Sequence, residues 1–240
     1  ICLFFFLIAT AQTSKQITIV LAIQLATQNN ISIKANDLDI QAATALRKTA
    51  NELPKTDFNI QLGQYNSIKF DNAFQLSQTI PFPTLFGARK NLINAEVKAK
   101  QIEKELSLYE IKNQVRSLFY QIEYLQYNQQ KLQGLDSLYS EFIRIANLRY
   151  KTGDIKKIEI STAETKKGEI SLLAQQNKVY LQNAYQQLNN LLNTKDSIEV
   201  AANSNYTPLQ VSSLIDSNAI ANHPILQSLY QNMQIAEQTK

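Results

Sequence analysis

The side chains able to attack a substrate, bind a metal or shuttle a proton are few. The 240-residue sequence holds one cysteine, Cys2, and one histidine, His223. A lone thiol cannot close an internal disulfide, and one imidazole cannot build a zinc site. No glycine-rich phosphate loop or nucleophile elbow occurs, and the carboxylates are scattered along helices beside lysines. Pro224 directly after His223 makes that imidazole a helix start rather than a ligand. No catalytic residue, metal ligand or cofactor is assigned, and an enzyme is not expected. The net charge of +4 is too mild to argue for nucleic acid. The residues that stand out do a different chemistry. They are apolar residues alternating with amides and hydroxyls, and prolines and glycines that turn the chain at fixed places.

The elements that must position them follow from composition. Only five glycines and five prolines are present, and no proline falls between Pro83 and Pro208. That middle stretch therefore reads as long helix. A hydrophobic content of 44% with 18% charge excludes a disordered tail. Asn and Gln make up roughly a fifth of the chain, so its polar faces are largely uncharged.

Residues 1–11 read as an export signal with its start missing. ICLFFFLIA is an apolar run too short to span a bilayer, which takes about 20 residues. It ends in Ala9-Thr10-Ala11, a small-x-small cleavage pattern before Gln12. The tail of an upstream membrane span is the alternative. An entry helix is expected within 12–56, over residues 18–50, ended by Leu53-Pro54.

In 57–82 the period changes to two. Phe58, Ile60 and Leu62 alternate with Asn59, Gln61 and Gly63, and Phe74, Leu76 and Ile80 alternate with Ala73, Gln75, Ser77 and Thr79. Asp57–Tyr65 and Asn72–Ile80 are thus two strands with one greasy and one amide-and-hydroxyl face. That pattern suits lipid on one side and a wet lumen on the other. A hairpin packed on helices is the plainer reading, and alternation alone does not separate the two. Pro81-Phe82-Pro83 then makes a rigid strand-to-helix junction.

Residues 83–193 read as a helical hairpin. From Leu85 to about Lys151 the helix is ~100 Å long at 1.5 Å per residue. One seam runs Leu108, Ile111, Val115, Leu118, Ile122, Leu125 in steps of three and four. The tip spans 149–157. There Gly153 can close the first helix in the left-handed conformation and Asp154 can cap the second. Lys151, Lys156 and Lys157 make this tip basic, either as a contact surface or as a solvated helix end. The returning helix, Ile155 to about Asn193, carries Ala163, Ile170, Ala174, Leu181, Ala184, Leu188 and Leu191. Residues 194–207 are an irregular linker. Residues 208–240 begin a second repeat, since a shift of 193 positions sets Ala26 on Ala219, Asn29 on Asn222, Gln41 on Gln234 and Ala43 on Ala236.

The order of signal, entry helix, two amphipathic strands, Gln-x-Ile-Pro-Phe-Pro at Gln78–Pro83, long helix, Arg-Tyr-x-x-Gly turn at Arg149–Gly153, returning helix and second copy resembles the TolC-like outer-membrane efflux proteins. The expected fold is mainly α with a two-strand β-hairpin: a long antiparallel helical hairpin plus transmembrane barrel strands. The resemblance implies a homotrimer forming one barrel in the outer membrane and one helical tunnel through the periplasm of a Gram-negative bacterium. It makes Phe58, Ile60, Leu62, Phe74, Leu76 and Ile80 lipid-facing, and Pro81, Phe82 and Pro83 the barrel–helix junction. The tip at Arg149, Tyr150, Lys151, Gly153, Asp154, Lys156 and Lys157 would meet a periplasmic adaptor (membrane fusion) protein. That adaptor would be coupled to an inner-membrane transporter such as an RND pump or a type I secretion system. Segment 194–207 would belong to the belt around the tunnel. The departure from the family is the second half, which is expected to follow Lys240 in the natural protein. The implied work is passive export of small solutes, heavy-metal ions or drugs. The competing reading is a soluble periplasmic coiled-coil adaptor or scaffold, which would need neither lipid-facing alternation nor the Pro-x-Pro junction.

Overall fold

The computed structural model describes residues 15–63, 68–69, 71–194, 198–201 and 222–239. The elements in chain order are β1 (Lys15–Ile17), α1 (Ile19–Asn29), α2 (Ile31–Ala45), a 3-10 stretch (Leu46–Asn51), β2 (Asp57–Gly63), β3 (Asp71–Ser77), α3 (Pro83–Lys151), α4 (Lys157–Leu192), β4 (Ile198–Val200) and α5 (Pro224–Gln238). They divide into two compact units, Ile1–Ile33 with Leu108–Ser212 and Lys34–Ser107 with Ser213–Lys240. The long helix α3 contributes to both.

The first unit has one apolar core. Ile111, Val115, Phe119, Ile122 and Leu125 of α3 pack with Ala184, Leu188 and Leu192 of α4, and with Ala22 and Ala26 of α1. The small alanines let α1 approach α4 closely. Fully burying a side chain such as Ile122 or Leu188 contributes about 2 kcal/mol. The expected seam is recovered with one change of face. Leu108 and Leu118 are half-buried, and Phe119 is buried instead.

Two expectations are corrected here. Residues 194–207 are not wholly irregular, because β4 lies in them and pairs in parallel with β1, Lys15 opposite Ile198 and Ile17 opposite Val200. Three-residue strands are too short to show a period, and neither segment stands out in the sequence. Ile17, Ile198 and Val200 nevertheless close the core. Nor is 18–50 one helix. It breaks at Asn30 (φ −59°, ψ 131°) and ends in the 3-10 stretch. Adjacent Asn29 and Asn30 favour side-chain bonds over continued helix.

Asn30, only 7% exposed, serves three ends at once. Its N–H donates to the Ala26 carbonyl (3.0 Å), and its Oδ1 accepts from the Ser32 N–H (2.9 Å) to cap α2. Its Nδ2 donates to the Leu191 carbonyl of α4 (3.0 Å). Asn193, left-handed at φ 45° and ending α4, returns the contact by donating Nδ2 to the Asn29 carbonyl (3.2 Å). Two asparagines thus satisfy carbonyls at the ends of each other's helices, groups that otherwise lack partners.

In the second unit the strand pair β2–β3 stands apart, and α2 and α5 lie along the early part of α3. Lys104 pairs with Asp37 at 2.5 Å. Buried Gln231 of α5 donates Nε2 to the Ala95 carbonyl (2.9 Å). A shift of 193 carries Ile31–Ala45 onto Pro224–Gln238, which are the bounds of α2 and α5. The capping bond is carried over too, since His223 Nδ1 accepts from the Ile225 N–H (3.4 Å) as Asn30 Oδ1 does from Ser32. Two of the four identities, Gln41 on Gln234 and Ala43 on Ala236, fall inside these helices of the same length and the same cap pattern. No helix of the described residues is long and apolar enough to cross a membrane.

Candidate functional site

The register of the strand pair decides which side chains share a face. Phe58 lies opposite Leu76 and Ile60 opposite Phe74, while Asn59 lies opposite Gln75 and Gln61 opposite Ala73. In an antiparallel ladder directly opposed residues point the same way. Phe58, Ile60, Leu62, Phe74 and Leu76 therefore share one mainly apolar face, joined by Asn72 opposite Leu62, with the Phe58 and Phe74 rings stacked at 6.5 Å. All five are exposed, at 49% to 71%. The opposite face carries Asp57, Asn59, Gln61, Ala73, Gln75 and Ser77. Five large apolar side chains open on one side of a two-stranded ribbon are costly in water. In a lipid phase that cost vanishes, provided neighbouring strands satisfy the ribbon's outer edges.

Ile80 does not belong to this face. β3 ends at Ser77 and Ile80 lies beyond it in irregular chain. In register, Ile80 would sit opposite Pro54, which has no N–H to donate, and Pro81 follows it. Gln78 instead ties the two strand ends together. Its Oε1 accepts from the Thr56 hydroxyl, and its Nε2 donates to the Pro54 carbonyl (2.8 Å). Gln78 belongs to the Gln-x-Ile-Pro-Phe-Pro motif, but what its amide bonds is not readable from residue type or spacing. On the first strand, Gln64 and Tyr65 lie outside the described residues, as do Ala9, Ala11 and Gln12 of the expected cleavage site.

Beyond Gln78 the chain turns into α3 with Pro83 as its first helical residue, where the missing N–H costs nothing. The Leu85 N–H donates back to the Phe82 carbonyl (2.9 Å). Phe82 itself is 75% exposed. Pro81 and Pro83 therefore fix backbone direction, and Phe82 presents an aromatic ring at the foot of the strands.

At the far end of α3 the tip is a closed C-terminal motif. Gly153 is left-handed at φ 80°. Its N–H donates to the Tyr150 carbonyl (3.0 Å) and the Asp154 N–H to the Arg149 carbonyl (2.9 Å), the double bond pattern of a Schellman end. Asp154 is not the cap of α4, contrary to expectation. Its carboxylate faces back to Arg149 Nε (3.2 Å). Lys156 holds the cap position, and Glu159 Oε1 accepts its N–H (3.4 Å). With Asp154 used to finish one helix, the next starts three residues later than Asp154 and two later than the expected Ile155. Arg149, Tyr150, Lys151, Lys156 and Lys157 are all exposed around this turn. One turn up, Arg144 holds Glu141 through two bonds of 2.8 and 2.6 Å. These bonds, ahead of the plain charge attraction, lower the Glu141 carboxyl and raise the Arg144 guanidinium from their ordinary values.

The structure thus brings the strand face, the junction and the tip into separate, individually ordered sites. It contains no group of three potential metal-binding residues among those described.

A two-stranded ribbon, a proline junction and a long helical hairpin in this order make a fold that resembles the TolC type. Among solved structures the chain is similar to the Campylobacter jejuni CmeC outer membrane channel, at 17% identity and a TM-score of 0.73 over 92% of this chain and 52% of that one. It is similar to the outer-membrane channel OprN at 10% identity and a TM-score of 0.74, covering 92% and 53%. It is also similar to the outer membrane protein VceC of Vibrio cholerae at 14% identity and a TM-score of 0.70, covering 92% and 57%. The chain therefore spans about half the length of these channels. No protein-family model and no curated protein matches it by sequence.

Proposed function

We propose that this chain forms part of a passive outer-membrane conduit for an export system. The observation that carries this reading is the β2–β3 ribbon, whose sides differ in solvent preference, whose ends Gln78 ties together and which leads through Pro81 and Pro83 into a long helix. The apolar face would meet lipid and the amide face a wet lumen, and α3 and α4 would supply tunnel wall in the periplasm. As in the family it resembles, three copies would assemble. The basic tip around Gly153 would dock a periplasmic adaptor linked to an inner-membrane transporter, of the RND or type I secretion kind. The conduit performs no bond chemistry and supplies a continuous aqueous path for small solutes, among them drugs or heavy-metal ions.

Deleting the gene is expected to raise sensitivity to several unrelated exported compounds or to a metal. The intact gene should restore resistance, and Gly153→Val should not, because a β-branched residue at φ 80° opens the tip turn. The protein should fractionate with outer membranes. A protein recovered wholly in the soluble periplasm, from a deletion strain with unchanged sensitivities, would favour the adaptor or scaffold reading instead.

A further inference from the structure

Among the described residues, the α3–α4 seam of the first unit is aliphatic or aromatic wherever it is buried, with two exceptions, Glu123 and Asn177. Asn177 is 4% exposed and falls in the run Ile170, Ala174, Asn177, Leu181, Ala184, Leu188, where the pattern calls for another aliphatic residue. An amide there is desolvated, and only hydrogen bonds offset that. It has three. Its Nδ2 donates to the Leu125 main-chain carbonyl (2.9 Å) and to Gln129 Oε1 (2.8 Å). Its Oδ1 accepts from Asn128 Nδ2 (2.9 Å). Leu125, Asn128 and Gln129 stand at i, i+3 and i+4, so all three partners lie on one patch of α3.

This arrangement is selective in a way that the rest of the seam is not. Sliding α4 by one turn displaces Asn177 by about 5.4 Å, outside hydrogen-bond reach. Rotating α4 by one position turns the amide onto aliphatic neighbours. Leu, Ile and Ala interdigitate in more than one phase, whereas a buried asparagine accepts only the phase that satisfies it. The turn at Gly153 fixes register at its own end, but a tolerant seam drifts out of phase with distance from the turn. Asn177 stands roughly 30 Å along α4 from it at 1.5 Å per residue.

We infer that Asn177 is a positioning residue that locks α4 onto α3 in a single phase and thereby sets the attitude of the hairpin tip. The consequence for export rests on the proposed function; the phase lock does not.

Spin labels at Gln133→Cys and Leu173→Cys, in the full chain with Cys2→Ser, report the phase directly. The parent is expected to give one narrow distance. Asn177→Leu should split or broaden it by up to about 5 Å while the thermal midpoint stays level or rises, since an aliphatic residue suits the seam. Asn128→Ala, which removes one bond of the three, should broaden it less. A narrow, unshifted distance in Asn177→Leu overturns the inference, whatever the midpoint does. Should that variant fail to fold, an unshifted distance in Asn128→Ala overturns it and a broadened one upholds it. Export is measured alongside. A parent that exports nothing defeats the proposed function, and the distances still judge Asn177.

Discussion

At the scale of single residues, neutral amides recur as the fastening device. Asn30, Asn193, Asn177, Gln231 and Gln78 each donate a side-chain N–H to a main-chain carbonyl of another segment. The abundance of Asn and Gln was legible in the sequence, but only as wet surface. Which amides turn inward was not, because an amide has the same hydropathy in a lumen and in a satisfied buried bond. Tyr185 does similar work with a hydroxyl. Its Oη accepts from Gln126 Nε2 (2.8 Å) and from the Val200 N–H (3.2 Å), closing the outer edge of β4 against the helices. Burial is the main cause lifting its phenol above the ordinary value of 10.0, with the Glu199 charge adding to it against those two bonds. The unfolded chain then loses the phenolic proton first. Stability from this group is full below the ordinary tyrosine value and is lost as pH rises from there through the higher folded value. Tyr185→Phe is expected to cost about 1–3 kcal/mol at neutral pH, through the unpaired Val200 N–H. It should also lose less stability above pH ~10 than the parent. Urea melts at the two pH values check both.

At the scale of elements, period was legible and brevity was not. The alternation over Phe58–Leu62 and Phe74–Leu76 found both long strands, and the three–four spacing found α3 and α4. What escaped were β1 and β4, each three residues long, and the helix break at Asn30. Their positions are settled by partners far along the chain rather than by local pattern. The strand overreach to Ile80 has a similar origin, since alternation continued past the point where the opposite strand had run into Pro54. The two faces of the ribbon make a paired prediction. Ile60→Arg places a charge on the proposed lipid face and should cost about 2–4 kcal/mol near mid-bilayer, with loss of outer-membrane insertion. Gln61→Arg, one residue on and facing the other way, should insert normally and alter single-channel conductance. Equal behaviour of the two in fractionation and planar-bilayer recording would remove the lumen–lipid assignment.

At the scale of the whole molecule, α2 and α5 have bounds related by the same shift of 193 as the weak sequence repeat, while residues 202–221 lie outside the described residues. The channels of similar fold are about twice as long. In the proposed lipid setting a two-stranded ribbon cannot satisfy its own outer edges, and the resemblance implies that three copies assemble to pair them. The full-length protein extracted in mild detergent is accordingly expected to behave as three chains by mass photometry, and a stable single chain would contradict that.

The pairing of β1 with β4 also sets a timetable. Lys15 meets Ile198, and Asn30 meets Leu191, 161 residues on, so β1 and the end of α1 are held by residues synthesised much later. Closing so wide a loop from a disordered chain costs roughly 5 kcal/mol in entropy. The cost shrinks once α3 and α4 zip up from their turn, because the folded hairpin carries Ile198 back toward the start. Local helix formation takes microseconds, whereas such distant pairing is slow. β1 thus emerges before the hairpin and is seated after it, and until the hairpin is complete it waits as bare edge open to a chaperone.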